Sequence, residues 1–339
     1  MRSTVLFGLF VGLFVVLASF AAQAAFGRAY PRPPGPSLDE AVGRLYKREI
    51  DVRRPEIVLL GDSVLKKAVD EDQFQAQLQR SVYKLDIPGS SSALWYLILK
   101  HEIVESDSPP RYLVVLFRDT MLTVPDFRVG GPYLGQIDKF AAPDDSLFLQ
   151  LSFLDKMTPL ELALDSYLPV YSFRTQIRSA LDGALRHSAP ALLGCAADCA
   201  DDAVLSVISG GNLDADELET ATIQAEQVLY TPQQLDFEKQ VQHSFLPEMI
   251  RLARERGIQP IFVRAPTNVF PRPQMEPAAL QDYMDSLDAY LAEKSIPLLD
   301  LSKIEQIGPQ HFVDPLHMSA EGKTIFTGIL ADALKEFIK

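Results

Sequence analysis

The sequence predicts an α/β protein: a flavodoxin-like three-layer sandwich with a parallel β-sheet, plus a large, mostly helical insertion. Short apolar runs alternate with helix-like segments over residues 57–117 and again over 237–339, a pattern typical of βαβ units. The first run, Ile57–Leu60, is apolar throughout and ends at Gly61, as expected of a strand that is buried on both faces. A chain of 339 residues with 47% hydrophobic residues can bury a core of this kind.

Each element is predicted from its own run of residues. The predicted strands are Ile57–Leu60, Val82–Ile87, Tyr112–Phe117, Pro260–Val263 and Pro297–Leu301. The predicted helices are Asp72–Arg80, Ser92–Val104, Phe237–Arg256, Met275–Lys294 and Ser319–Lys339. Gly257 stands where a C-terminal cap would end the third of these helices.

The alternation fails between about residues 120 and 234, which we interpret as an insertion between two strands of the sheet. Its helix-like pieces are Leu160–Leu168, Arg174–Leu185 and Leu213–Leu229. Such an insertion can serve as a lid, as a partner-binding surface, or as a helical cap with no specific role.

Residues 1–27 have the pattern of an export signal or a retained membrane anchor. Arg2 precedes an uncharged, mostly apolar run over 5–22, and Ala22-Gln23-Ala24 fits a cleavage site. Residues 28–49 are then a proline-rich linker and a leading helix, and 50–339 form the main domain with its insertion. Both alternatives place this domain outside the cytoplasm, in the periplasm or tethered to the membrane.

Composition excludes some classes of partner and cofactor. The net charge of −13 and the absence of a Lys/Arg cluster argue against nucleic acid. Outside the cytoplasm, Cys195 and Cys199 can form a short local disulfide, with free thiols as the alternative. Two thiolates do not complete a zinc shell, so we expect no metal and no cofactor.

Ser63 follows the first predicted strand in Gly61-Asp62-Ser63. Ligands bind beyond the carboxyl ends of parallel strands, so Ser63 is a candidate nucleophile, although serine there can also simply cap the next helix. A serine nucleophile needs a base, and the base needs an orienting group. Asp314 and His317, in the loop before the last helix, have the spacing for this pair; capping of that helix is the alternative.

Gly-Asp-Ser early and Asp-x-x-His late in the chain together resemble the SGNH/GDSL family of serine esterases and acyltransferases. The resemblance covers residues 50–120 and 245–339 and implies that Ser63 is the nucleophile, His317 the base and Asp314 its orienting group. It further implies an oxyanion hole built by the N–H groups of Ser63 and Gly89, since Gly89 matches the family's glycine after the second strand. The alternative for Gly89 is a plain turn glycine.

The chain departs from the family's Gly-x-Asn-Asp block after the third strand, where it has Arg118-Asp119-Thr120. Arg118 can supply a charged oxyanion donor, pair with Asp119, or bind an anionic group of the substrate. A rival nucleophile is Ser91, in Gly89-Ser90-Ser91-Ser92-Ala93, which resembles the α/β-hydrolase elbow without its last glycine.

The resemblance implies acyl transfer through an acyl-Ser63 intermediate. The enzyme would be an esterase, or an O-acyltransferase that acts on an envelope or exported saccharide. Its partners would be an acyl ester or acyl donor, a saccharide hydroxyl and, for a transferase, a membrane-bound acyl donor protein. The alternative is a non-catalytic carbohydrate-binding or scaffold protein with a degenerate site.

Overall fold

The computed structural model describes residues 2–27, 29–36, 38, 44–125, 140–174, 177, 180, 227–270 and 275–338. These residues divide into two compact units. The smaller unit contains the described residues of 2–36 and 149–180. The larger contains those of 38–125, 140–148 and 227–338.

The larger unit contains a five-stranded, all-parallel sheet, which confirms the predicted α/β fold. Its strands are β1 (Ile57–Gly61), β2 (Val82–Asp86), β3 (Tyr112–Phe117), β4 (Gln259–Arg264) and β5 (Leu298–Asp300). The order β2-β1-β3-β4-β5 is the flavodoxin-like order. The central strands β1 and β3 are buried along their whole length, as their unbroken apolar runs require.

Helices cover both faces of this sheet. Those of the larger unit are Leu45–Arg53, Ser63–Ala68, Glu71–Leu78, Ser92–Ile98, Phe237–Gln242, Leu246–Glu255, Ala278–Glu293 and Ala320–Leu334. In one layer the C-terminal helix packs on Ser63–Ala68 and Glu71–Leu78, and in the other Leu246–Glu255 packs on Ser92–Ile98. A π-helical turn, Leu99–Ile103, continues Ser92–Ile98, and 3₁₀ turns lie at Asp119–Leu122, Gln227–Tyr230 and Pro309–His311.

The single long helix predicted over Phe237–Arg256 is wrong. The structure has two helices, Phe237–Gln242 and Leu246–Glu255. Pro247 stands in the first turn of the second helix, where its missing N–H costs no hydrogen bond, whereas a helix interior would lose one there. The predicted end is confirmed, because the second helix stops at Glu255 and Gly257 has a positive φ of 76°.

The regular secondary structure described in the smaller unit is helical. It contains α-helices Arg2–Phe26, Pro159–Tyr167 and Pro169–Ser172, the greater part of Ser146–Ser152, and a 3₁₀ turn at Leu154–Lys156. In the first helix most of the large apolar side chains from Leu6 to Phe20 are exposed. Within the described residues, no helix meets the combined length and hydropathy that a membrane crossing needs.

The predicted insertion is only partly described. Its first helix-like piece, Leu160–Leu168, corresponds to Pro159–Tyr167. Most of Arg174–Leu185 and of Leu213–Leu229 lies outside the described residues, as do Cys195 and Cys199. The predicted disulfide therefore stays a prediction.

Candidate active site

Ser63 is the first residue of a helix and does not cap it. Asp62, directly before it, is the cap: its side chain accepts a hydrogen bond of 2.8 Å from the backbone N–H of Val64. The close approach of Gly61 to its neighbours fixes this turn, since a Cβ atom there would lie 2.9 Å from the carbonyl oxygen of Leu116. The Ser63 hydroxyl is thus left available at the carboxyl edge of β1.

His317 meets this hydroxyl. Its Nε2 atom lies 2.8 Å from Ser63 Oγ, and its Nδ1 atom lies 2.8 Å from Asp314 Oδ2. The structure therefore brings together all three residues of the predicted triad. Their order, hydroxyl to imidazole to carboxylate, is the one that nucleophilic serine chemistry uses.

A tight turn in the loop orients Asp314 and His317 relative to each other. The other carboxylate oxygen of Asp314 accepts hydrogen bonds of 2.8 Å from the backbone N–H groups of Leu316 and His317. The loop is further held by the Val313 N–H, which donates to the His317 carbonyl at 2.9 Å, and by the Asn268 N–H, which donates to the Pro315 carbonyl at 2.8 Å. The final helix has its own cap, Ser319, so Asp314 and His317 are not needed there.

The carboxylate of Asp314 sets the tautomer of the imidazole. Burial alone would raise the pKa of Asp314, but hydrogen bonds from the His317 ring and from the two backbone N–H groups hold this pKa below its usual value. An ionised carboxylate only accepts hydrogen bonds, so Nδ1 carries the ring proton. The lone pair of Nε2 then faces Ser63, as a general base requires.

Gly89 lies at the same edge of the sheet, after the neighbouring strand β2. Its φ of 73° is in the left-handed region that favours glycine. The turn that contains it is bound to the end of β1, because the Ile87 N–H and the Ser90 hydroxyl both donate to the carbonyl of Gly61, at 3.0 and 3.3 Å. Gly89 is therefore held close in the fold to the turn that carries Ser63.

Arg118 follows β3, the strand on the other side of β1. Its side chain is 3% exposed, and its Nε lies 3.7 Å from Oδ2 of Asp62. Of the alternatives open for Arg118, pairing with Asp119 is wrong. Asp119 instead accepts hydrogen bonds of 2.7 and 3.1 Å from Arg264, and Arg118 stands beside Asp62, the residue that precedes Ser63.

Asp62 and Arg264 were missed as members of this region. Asp62 forms part of the sequence motif, but its roles as helix cap and as neighbour of Arg118 depend on the folded turn. Arg264 could have been predicted from the sequence, because it is a charged residue at the carboxyl end of the mostly apolar strand β4. Such a residue lies at the edge where parallel sheets bind ligands.

The rival serines and the other histidines are engaged elsewhere or lie apart. The Ser90 hydroxyl accepts from the Trp95 indole at 2.9 Å, Ser92 donates to the Val124 carbonyl at 2.6 Å, and Ser91 precedes a helix as its N-cap residue. The remaining described histidines bind other partners: His101 binds Asp145, His243 contacts the Lys239 carbonyl, and His311 accepts from the Gly308 N–H. His187 lies outside the described residues.

No family model and no curated protein matches the chain. Among solved structures, it is similar to one described as an acylhydrolase, from Bacteroides fragilis (12% identity, TM-score 0.41, covering 89% of this chain and 100% of that one). It is also similar to a GDSL-like lipase from Bacteroides thetaiotaomicron (13% identity, TM-score 0.38, covering 87% of this chain and 98% of that one). A third similar structure is a lipolytic protein of the G-D-S-L family from Desulfitobacterium hafniense (11% identity, TM-score 0.38, covering 82% of this chain and 98% of that one).

Proposed function

We propose that this protein catalyses serine-dependent acyl transfer from an ester, through an acyl-Ser63 intermediate. The observation that carries the proposal is the continuous pair of hydrogen bonds from Ser63 through His317 to Asp314, each 2.8 Å long. A serine hydroxyl is a weak nucleophile until a base removes its proton, and this arrangement supplies that base.

The proposed acylation step uses this geometry. Ser63 Oγ forms a bond to the ester carbonyl carbon while its proton passes to Nε2 of His317. Asp314 stabilises the resulting imidazolium without taking the proton. When the tetrahedral intermediate collapses, the bond to the leaving alcohol breaks and the alcohol receives the proton from His317.

Deacylation repeats these events with a second hydroxyl. His317 removes a proton from water or from a saccharide hydroxyl, whose oxygen attacks the acyl carbonyl carbon. The bond from that carbon to Ser63 Oγ then breaks, and His317 returns the proton to Oγ. Water as the acceptor makes the protein an esterase, and a saccharide makes it an O-acyltransferase. The half-exposed side chains of His317 and Asp314, 25% and 44% accessible, leave the site open to a hydroxyl on a large saccharide.

The negative charge on the intermediate requires donors. We assign this role to the N–H groups of Ser63 and Gly89, with Arg118 as a further source of positive charge. Residues 63, 89 and 118 follow three adjacent strands, β1, β2 and β3, at one sheet edge. Loss of one such donor typically costs about 100- to 1,000-fold in kcat.

Export of the chain is part of the proposal. Arg2 followed by an apolar run suits an export signal or an anchor. The exposed apolar side chains from Leu6 to Phe20 suit the same role, since an aqueous surface disfavours a continuous apolar stretch of this kind. The saccharide acceptor would then belong to the envelope or be exported itself, and a membrane-bound protein would supply the acyl group.

One observation favours the alternative, a non-catalytic carbohydrate-binding or scaffold protein. The family's oxyanion-binding Asn is absent, and Arg118, which replaces it, stands against Asp62 at 3.7 Å. The intact hydrogen-bonded triad favours catalysis over this alternative.

Trapping the acyl-enzyme tests the proposed function. The full-length protein is mixed with an aryl acetate, quenched in acid and digested. The mass of the peptide that contains Ser63 is then measured by mass spectrometry. We expect an acetyl group on Ser63 in the wild type and none in Ser63→Ala. Adding methyl glycosides during turnover then separates transfer from hydrolysis, because only transfer yields an acetylated glycoside. A folded wild-type protein that releases no aryl alcohol and carries no acetyl group would contradict acyl transfer.

A further inference from the structure

A polar cleft of about 210 Å³ lies at the carboxyl ends of β3, β4 and β5, in the larger unit. Its walls combine charged and hydroxyl-bearing residues and Asn268 with apolar residues, among them Phe270 and Phe312. A buried water needs about 10–15 Å³ on this kind of measure, so the cleft has room for on the order of fifteen non-hydrogen atoms. A single pyranose ring with its substituents has about a dozen.

The cleft shares a wall with the loop that carries Asp314 and His317. Phe312 lines it and pairs with Met318 in an antiparallel bridge around Asp314 and His317. On another side it is lined by Asn268, whose backbone N–H holds the carbonyl of Pro315 at 2.8 Å. A ligand in the cleft would therefore contact the same loop that presents the base to Ser63.

A charge network centred on the buried Arg264 lines part of the cleft through Asp119, Glu276 and Lys303. Arg264, 2% exposed, donates to Asp119 at 2.7 and 3.1 Å, to Glu276 at 2.7 Å and to Asp300 at 3.1 Å. Lys303 adds an ion pair with Glu276. Asp119 keeps its place in this network with a non-glycine φ of 46°, a costly conformation that persists where the surroundings enforce it and that is concentrated at functional sites.

The charges decide which kind of ligand fits. The carboxylates of Asp119 and Glu276 balance the cations of Arg264 and Lys303 in the lining. Each cation already binds a carboxylate, so phosphate or a uronate would find no excess of positive charge. A neutral ligand with several hydroxyl groups meets both donors and acceptors: carboxylate oxygens, the Lys303 ammonium, and the side chains of Asn268, Thr267 and Ser302. The phenylalanine rings offer apolar faces, on which the C–H groups of a sugar ring can stack.

From this we infer that the cleft lined by Phe270, Phe312 and Asn268 beside the Arg264 network is a binding subsite for one neutral pyranose unit of a saccharide. That the subsite binds the acceptor of the acyl transfer rests on the proposed function. That it binds a sugar does not depend on that function. The subsite would position the saccharide whose hydroxyl is to be acylated.

Saturation-transfer NMR on full-length Ser63→Ala protein tests this inference without turnover. The probes are methyl glucoside, methyl galactoside and methyl mannoside at millimolar concentration, with methyl glucuronide as the anionic counterpart. We expect at least one neutral glycoside to bind, and the glucuronide to bind at least severalfold more weakly than its neutral counterpart.

Two cleft variants and one matched control locate the binding. Thr267→Trp fills the cleft and should weaken binding at least tenfold. Thr324→Trp makes the same change on the exposed face of the final helix and should leave binding unchanged. Should Thr267→Trp fail to fold, Phe270→Leu removes an aromatic face while keeping most of the apolar volume, and should weaken binding about fivefold.

The outcomes separate the two proposals. Failure of all three neutral glycosides to bind folded protein overturns the subsite, as does undiminished binding in the cleft variants or tighter binding of the glucuronide. Fluorophosphonate labelling of Ser63 is measured in parallel on protein that retains the serine. Labelling without sugar binding overturns the subsite alone, whereas sugar binding without labelling upholds the subsite and contradicts acyl transfer.

Discussion

Ser63 Oγ lies 2.8 Å from His317 Nε2, although 254 positions separate the two residues along the chain. Their contact depends on the parallel sheet, because β1 and the loop before the final helix reach the same carboxyl edge. The proposed nucleophile and base thus come from distant parts of the sequence, and the strand order of the sheet brings them together.

Replacing the nucleophile distinguishes Ser63 from its rival Ser91. In Ser63→Ala, aryl acetate hydrolysis should fall at least about a thousandfold, because the attacking atom is lost. In Ser91→Ala it should stay within a fewfold of wild type. Steady-state kinetics on both folded variants measures the difference. Activity that survives in Ser63→Ala and disappears in Ser91→Ala would show that Ser91, and not Ser63, is the nucleophile.

Asp314→Asn tests the orientation of the imidazole. An amide can donate to Nδ1 and so favours the tautomer that turns an N–H toward Ser63, which removes the base. We expect kcat to fall about 100- to 10,000-fold with KM changed little. Asp332→Asn, on the exposed ion pair with Lys335, is the matched control. Equal activities of the two variants would argue against a role for Asp314.

The fold and the triad were predictable because their signals are local. β1 and β3 are unbroken apolar runs, Ser63 follows the first of them directly, and Asp314 and His317 are only three positions apart. The break in the helix predicted over 237–256 had a single marker, Pro247, within a sequence whose two halves are both helical.

The charged surroundings of the site were not predictable in the same way. Asp119 and Arg264 are 145 positions apart and meet only after β3 and β4 pair. The sequence left three roles open for Arg118, and its position beside Asp62 depends on the turn after β1. Long-range pairs of this kind follow from the tertiary structure and not from local patterns.

A double-mutant cycle tests whether Arg118 acts on the oxyanion or only supports Asp62. Both side chains are buried, so Arg118→Met should destabilise the fold by about 3 kcal/mol by removing a cation that stands 3.7 Å from the buried carboxylate of Asp62. Adding Asp62→Asn should restore much of that stability. If Arg118 also stabilises the oxyanion, kcat of the double variant Arg118→Met/Asp62→Asn stays at least about 100-fold below kcat of Asp62→Asn alone.

The opposite kinetic result would remove Arg118 from the chemistry. If Arg118→Met, made in the Asp62→Asn background, leaves kcat unchanged, Arg118 only supports the fold. Urea titration and steady-state rates on the same four proteins provide both measurements.

Glu102 gives a pH dependence of stability that is independent of the site. Burial raises its pKa to about 7, although backbone N–H groups of Lys47 and Tyr46 partly oppose this; the Lys47 N–H binds it at 2.6 Å. Between its ordinary value of 4.5 and 7 the native state keeps a proton that the unfolded chain releases, so stability falls as pH rises.

Glu102→Gln should remove this part of the pH dependence, which amounts to at most about 3 kcal/mol. Urea unfolding midpoints at pH 5 and pH 8 measure it, with exposed Glu321→Gln as the control. A wild-type loss of stability that Glu102→Gln leaves unchanged would show that another group is responsible.

The most direct test of the central claim is to label the full-length protein with a fluorophosphonate and map the adduct by mass spectrometry. The hydrogen bond between His317 and Ser63 predicts a covalent adduct on Ser63 in the wild type. It also predicts that labelling is at least about a hundredfold slower in His317→Ala and unaltered in His243→Ala, whose imidazole lies elsewhere. Folded wild-type protein without an adduct on Ser63, or His317→Ala protein that labels at the wild-type rate, would contradict the account.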